Sequence, residues 1–169
     1  MRESADERIT RMMECHGDAL LRLCAMQLRD ADLARDAVQD SFWKAYQRLD
    51  TFRDECSEKT WLTRIAINTC RDYRRRAWFR QRRESVDVDA LALPGGAEAD
   101  ARDDTVFRAV LSLPAREREA VLLRYYQRLA LSEIAQALGI PEGTVNSRLN
   151  RARSRLRAHL EGWYLDEDV

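Results

Sequence analysis

Long apolar runs are missing from this chain. None approaches the roughly 18 residues that cross a bilayer, and the opening MRESADERITRM lacks the apolar core of a secretory signal, so a soluble, cytoplasmic protein is expected. Cysteine is sparse and unpatterned: Cys15, Cys24, Cys56 and Cys70 give neither a CxxC nor a Cys/His cluster at zinc spacing. Four reduced thiols, with no metal and no cofactor, are the expectation. Histidine occurs only as His16 and His159, neither beside catalytic companions, and proline only as Pro94, Pro114 and Pro141. Lysine is nearly absent; all but Lys44 and Lys59 of the 29 basic residues are arginine.

Charge is what the chain has in plenty, at 34% of 169 residues, and its net value of zero conceals an uneven distribution. One arginine cluster holds Arg71, Arg74, Arg75, Arg76, Arg80, Arg82 and Arg83; a second holds Arg148, Arg151, Arg153, Arg155 and Arg157. Between them Glu84, Asp87, Asp89, Glu98, Asp100, Asp103 and Asp104 accompany Pro94, Gly95 and Gly96, with few large apolar residues. That composition predicts a flexible acidic linker over 83–103, joining helical domains at 1–82 and 104–169, each small enough to be only marginally stable alone. The fold class expected is all-α.

Ile9, Met12, Met13, His16, Leu20, Leu23 and Gln27 follow a helical stripe and predict a first helix over about 3–29. Asp30 is placed to cap a second, whose apolar stripe is Ala34, Val38, Phe42, Ala45 and Leu49. Asp32, Asp36, Asp40, Trp43 and Gln47 lie on its other side, where a large aromatic among carboxylates suggests either a protein-binding surface or a tryptophan folded onto a neighbour. Ser57 opens a third helix with Leu62, Ile65, Ala66 and Thr69 inward and Arg64, Asn68, Arg71 and Arg75 on another face. Only Asp72 offsets the arginine row from Arg71 to Arg76, so an anionic partner is expected, and the interleaved Tyr73, Trp78 and Phe79 suit stacking on unpaired bases.

In the second half, Pro114 suits the first position of a helix carrying Val121, Leu122 and Tyr125, and Ile134, Ala135 and Leu138 belong to the next. Gly139 ends that helix. Pro141-Glu142-Gly143-Thr144 opens a last one with core stripe Val145, Leu149, Ala152, Leu156 and Leu160 and an outward stripe of Asn146, Asn150, Arg153 and Arg157. A small residue, a left-handed glycine and an apolar packing residue at this spacing make a helix-turn-helix pattern, and Asn and Arg are the types that read base edges.

Taken together, the segments ARDAVQDSFWKAYQRLDTF, TWLTRIAINTCRDYRRR, LPAREREAVLLRYY and EIAQALGIPEGTVNSRLNRARSRLR resemble, in order, those of the extracytoplasmic-function sigma factors. The resemblance implies sigma domain two, a helical bundle, over 1–82 and sigma domain four, the helix-turn-helix, over 104–169. It puts Asp36, Gln39, Asp40 and Trp43 where the family grips core RNA polymerase. Arg64, Asn68, Arg71, Asp72, Arg74, Arg75 and Arg76 fall where it opens and reads the minus-ten element. Thr144, Asn146, Ser147, Arg148, Asn150, Arg151 and Arg153 fall where it reads the minus-thirty-five element. The implied partners are core polymerase, promoter DNA as duplex and single strand, and an anti-sigma factor; no stable homo-oligomer is expected.

Three positions depart from the family: Arg128 stands where glycine is common, Asn146 where a basic residue is common, and Asn150 where a large or apolar one is common. Arg128 must either avoid positive φ or accept about 1 kcal/mol of strain. The asparagines bear on which promoter is read, and either suits adenine through a bidentate amide. Two other classes fit less well. A polymerase-independent helix-turn-helix regulator would need a dimerisation element, and none is evident. A nuclease on Asp36 and Asp40 would lack a third magnesium ligand.

Overall fold

The computed structural model describes residues 3–80 and 101–164, and side chains over 3–76 and 105–161. The expectations for residues 83–100 and for the side chains of Trp78, Phe79, Arg80, Asp103 and Asp104 lie outside these. Seven α-helices and no strand are found among the described residues, an all-α fold, and the chain divides into two compact units.

The first unit carries α1 (Ala5–Leu28), α2 (Ala31–Arg48) and α3 (Glu58–Arg80). A capping box starts α1: Glu7 N donates to Ser4 Oγ and Ser4 N to Glu7 Oε2, which holds the Glu7 carboxyl below its usual range. It stops at Arg29, whose φ of 56° turns the chain left-handed while its N–H returns to the Ala25 carbonyl at 2.8 Å. Asp30 then caps α2, its Oδ1 accepting from the amides of Asp32 and Leu33 at 2.9 Å. One left-handed residue and one cap thus fold α2 back along α1.

The three helices enclose Met12, Leu20, Leu23 and Met26 of α1, Ala34, Ala37, Phe42 and Ala45 of α2, and Leu62, Ile65, Ala66 and Ile67 of α3. The alanines on α2 let its neighbours approach closely. Met13, expected in the inward stripe, is 51% exposed. Successive helical residues point about 100° apart, and Met12 takes the seam. Cys24 and Cys70 are buried and hydrogen-bonded to each other, with that bond and burial pushing the Cys24 thiol up. All four cysteines are free thiols.

In the second unit α4 (Ala101–Ser112) starts inside the stretch expected as linker and precedes α5 (Ala115–Val121). Pro114 is the cap before α5 rather than its first residue, because its ψ of 144° is extended. The corner is tied by buried Arg118, whose Nη1 donates to the Leu111 and Leu113 carbonyls at 3.0 Å, at and just past the end of α4. Past Val121 the backbone widens into a π turn, Leu122–Tyr126, closed by Gln127 N on the Leu122 carbonyl at 2.9 Å. Arg128 follows at φ 56°, so the chain accepts the strain that glycine would avoid. Val121 and Leu122 are buried as expected for that helix, whereas Tyr125 is 51% exposed.

After α6 (Leu131–Leu138), Gly139 at φ 66° reverses the chain into α7 (Glu142–Tyr164). Val145, Leu149, Ala152 and Leu160 of α7 are buried and Leu156 half-buried, the stripe its sequence specifies.

Candidate functional site

Three surfaces carry the residues singled out in the sequence. On α2, Asp36 and Gln39 are exposed, Asp40 is half-buried, and Trp43 is 60% exposed with its ring stacked on Tyr46 at 6.0 Å between centroids. Beside them Ile9 and Met13 of α1 complete a shallow groove that Phe42 floors. Met13 and Tyr46 belong to this surface and were missed in the sequence, since a methionine one residue from a buried one looks like core. Asp6 beside the Tyr46 hydroxyl pushes that phenol up. Asp40 does not face solvent alone: its Oδ2 accepts from the Tyr73 hydroxyl of α3 at 2.5 Å.

On α3, Arg64, Asn68 and Arg75 are exposed and Arg71 half-buried along one face, with Arg71 Nη1 3.5 Å from Asn68 Oδ1. Asp72 lies between cations, 3.0 Å from Arg75 and 3.8 Å from Lys44 of α2. Arg74 turns toward α1, its Nη1 3.4 Å from buried Gln27 Oε1, while Arg76 is exposed. Tyr73, expected to stack on bases, is half-buried with its hydroxyl committed to Asp40, and burial then that carboxylate push its phenol up to about 12. It is a strut between helices rather than a free platform.

On α7 the outward residues form two flanks, a consequence of 100° per residue. Thr144, Ser147 and Arg151 share one; Asn146, Asn150, Arg153 and Arg157 share the other, and all seven are exposed. Arg148 lies nearer the core and is half-buried. Ser147 Oγ donates to the Gly143 carbonyl at 2.9 Å, leaving its oxygen lone pairs outward. Arg153 Nε and Nη2 donate to the Tyr125 hydroxyl at 3.0 and 2.9 Å, and its Nη1 to Asn150 Oδ1 at 3.2 Å. Tyr125, grouped in the sequence with Val121 and Leu122 on one helix, therefore belongs to this surface. The π turn rotates it outward. Behind it an apolar cleft of about 910 Å³ is lined by Val106, Val110, Val121, Tyr126, Leu156 and Leu160.

Among the described residues no group of three or more His, Cys, Asp or Glu is placed to hold a metal ion, and no helix is long and apolar enough to cross a membrane.

The model of sigma-70 region 2 matches residues 12–80, and that of sigma-70 region 4 matches residues 104–156. The chain is 36% identical over 157 residues to the ECF RNA polymerase sigma factor SigM of Mycobacterium tuberculosis, covering 91% of this chain and 76% of that one. It is 39% identical over 136 residues to the ECF RNA polymerase sigma-E factor of Salmonella typhimurium, covering 72% and 70%. Among solved structures it is similar to the sigma factor RpoE in complex with the anti-sigma factor NepR from Bartonella quintana, with a TM-score of 0.75 and 27% identity over 90% of this chain and 96% of that one. A second similarity is to CnrH in complex with the cytosolic domain of CnrY, with a TM-score of 0.67 and 26% identity over 92% and 88%. The chain belongs to the extracytoplasmic-function sigma factors. Its process is transcription initiation, and its partners are core RNA polymerase and promoter DNA.

Proposed function

We propose that the three surfaces divide the work of a sigma factor. The α2 face, with Asp36, Gln39, Asp40 and Trp43 joined by Met13 and Tyr46, grips core polymerase. The α3 face, from Arg64 to Arg76, engages and opens the minus-ten element. Thr144 to Arg153 of α7 meet the minus-thirty-five element in the major groove. The working division is a domain two over 1–82, a linker over 83–103 and a domain four over 104–169, acting in the cytoplasm and without a reaction of its own.

One observation carries the polymerase assignment. Trp43, at 60% exposure, stacks on Tyr46 beside Met13, an apolar patch on a helix whose other outward residues are charged or carry amides. A solvated helix face gains nothing from such a patch, whereas aromatic anchors dominate protein interfaces. The DNA assignments rest on arginine-rich faces with Asn among them: backbone charge supplies affinity, and base-edge contacts on α7 supply selectivity. Two weak DNA sites on one polymerase act at high effective concentration, so the free chain discriminates poorly between sequences and the holoenzyme well.

Control by an anti-sigma factor is supported by the two structural relatives, RpoE solved with NepR and CnrH solved with CnrY. The α1–α2 groove and the cleft behind Tyr125 are apolar surfaces that such a partner would cover. Run-off transcription on a genomic promoter library tests the assignment. Core polymerase with this chain should yield discrete promoter-specific transcripts; transcripts no different from core alone would refute it.

A further inference from the structure

Tyr125 lies outside the last helix, yet two bonds fix it to that helix's outer flank: Arg153 Nε and Nη2 both donate to its hydroxyl, at 3.0 and 2.9 Å. Arg153 Nη1 donates to Asn150 Oδ1 at 3.2 Å. Both partners are neutral. Among the described residues no carboxylate pairs with Arg153, so a full positive charge is held in one posture at an exposed site. The hydroxyl is constrained too. A phenol oxygen that takes two N–H donors still has its own proton to give, and no described group accepts it.

Side by side, the pair therefore offers donors: the Tyr125 O–H and the N–H groups of Arg153 that the three bonds leave over. Donors gathered around a positive charge fit an oxyanion. Position along α7 says which one. At about 1.5 Å per residue, Arg153 lies about 16 Å along the axis from Glu142, where the helix begins, whereas the major groove is about 12 Å wide. A recognition helix meets base edges with its N-terminal turns. Asn146 and Asn150 fall within that width, about 6 and 12 Å from Glu142. Arg153 falls beyond it, level with the phosphates that wall the groove.

We propose that Tyr125 is a DNA-contacting residue: its hydroxyl donates to a phosphate oxygen at the edge of the minus-thirty-five element, and Arg153, locked beside it, grips the same phosphate. The proposal rests on α7 being the base-reading helix. It extends the DNA surface from α7 onto the π turn Leu122–Tyr126, where Tyr125 is 51% exposed, and it gives Arg153 to the backbone rather than to a base edge. A guanidinium already held in place loses little rotamer freedom when the phosphate arrives, so the pair is preorganised for the contact.

Promoter duplexes carrying one uncharged methylphosphonate at each successive position of the minus-thirty-five element test this, bound by holoenzyme assembled from core polymerase and the full chain. In the parent, neutralising the gripped phosphate should weaken binding roughly tenfold. Tyr125→Phe removes only a hydroxyl from an exposed ring. It should weaken binding to unmodified DNA by about 3- to 10-fold and reduce the methylphosphonate penalty at that phosphate and at no other. Arg153→Ala should reduce the same penalty and lower the salt slope by about one, whereas Tyr125→Phe, which removes no charge, should keep the parental slope. Both variants should select the parental base profile from a randomised promoter library, because phosphate contacts carry no sequence information. A Tyr125→Phe penalty pattern identical to the parent's, or an altered base profile for Arg153→Ala, overturns the proposal. Asn146→Ala and Asn150→Ala separate it from the reading it rests on. If both return the parental profile and no methylphosphonate weakens the parent, the assignment of α7 fails and the proposal falls with it; if either shifts the profile while Tyr125→Phe keeps the parental pattern, the proposal alone fails.

Discussion

Tyr73 donates its hydroxyl to Asp40 Oδ2 across 2.5 Å, which ties α3 to α2 where the proposed polymerase and minus-ten surfaces meet. Two residues that in the sequence belong to different surfaces are thus one structural unit. Both are half-buried, so the bond counts for more than an exposed pair and less than a core one.

Tyr73→Phe should lower stability by about 1 kcal/mol, seen as an earlier denaturation midpoint. Its pH dependence is specific. The Tyr73 phenol is raised to about 12 by burial and by Asp40, above its unfolded value near 10, so the folded state keeps a proton that the unfolded state releases. That stability is fully present below about pH 10 and is lost as pH rises toward 12. Denaturation between pH 9 and about 12 should show a steeper loss in the parent than in Tyr73→Phe.

Glu58 titrates in the opposite sense. Arg11 Nη1 and Nη2 reach its two oxygens at 2.9 and 3.0 Å and Arg8 Nε reaches Oε1 at 3.1 Å, and Arg11 above all holds the carboxyl below its usual range. A depressed carboxyl stabilises above its unfolded pKa, and that stability disappears as pH falls through the folded value. Glu58→Gln should cost about 1 kcal/mol at pH 7, a figure kept small because Arg11 is well exposed. The difference from the parent should shrink as pH falls below the ordinary carboxylate range, as paired thermal melts would show.

Two left-handed residues, Arg128 and Gly139, respond oppositely to substitution. Arg128→Gly relieves a side chain at φ 56° and should raise stability by up to about 1 kcal/mol, whereas Gly139→Ala puts a Cβ at φ 66° and should lower it by about 1–2 kcal/mol. A Cβ on Gly139 meets nothing within 4 Å, so the cost is backbone strain alone. Chemical denaturation of both variants measures the pair.

Arg74 and Arg76 should separate, although the sequence treats them alike. Arg76 is exposed, so Arg76→Ala should leave folding intact and reduce the salt slope of promoter binding by about one. Arg74 leans on buried Gln27, so Arg74→Ala should also lower the melting temperature. Salt titrations of promoter binding alongside thermal melts distinguish them.

How much the sequence revealed follows from the kind of signal each residue carries. Asp30, Gly139 and the Val145–Leu160 stripe were legible because caps, left-handed turns and helical periodicity are local. Trp43 stood out because an aromatic among carboxylates breaks the expected amphipathic pattern. Tyr125 and Met13 were not legible. The first is turned out by a π turn that no residue type announces, and the second lies one position from the seam, where a 100° step decides burial. The bonds Tyr73–Asp40 and Arg153–Tyr125 join residues 33 and 28 positions apart, beyond the reach of periodicity.

The polymerase grip on α2 is tested most directly by the affinity of core RNA polymerase for the full chain with and without Trp43→Ala. Trp43 is 60% exposed and makes little of the core, so the variant should fold as the parent does. Losing an aromatic anchor of about 2 kcal/mol should weaken binding by roughly 30-fold, with an unchanged melting temperature. Equal affinity for parent and variant would contradict the assignment of this face.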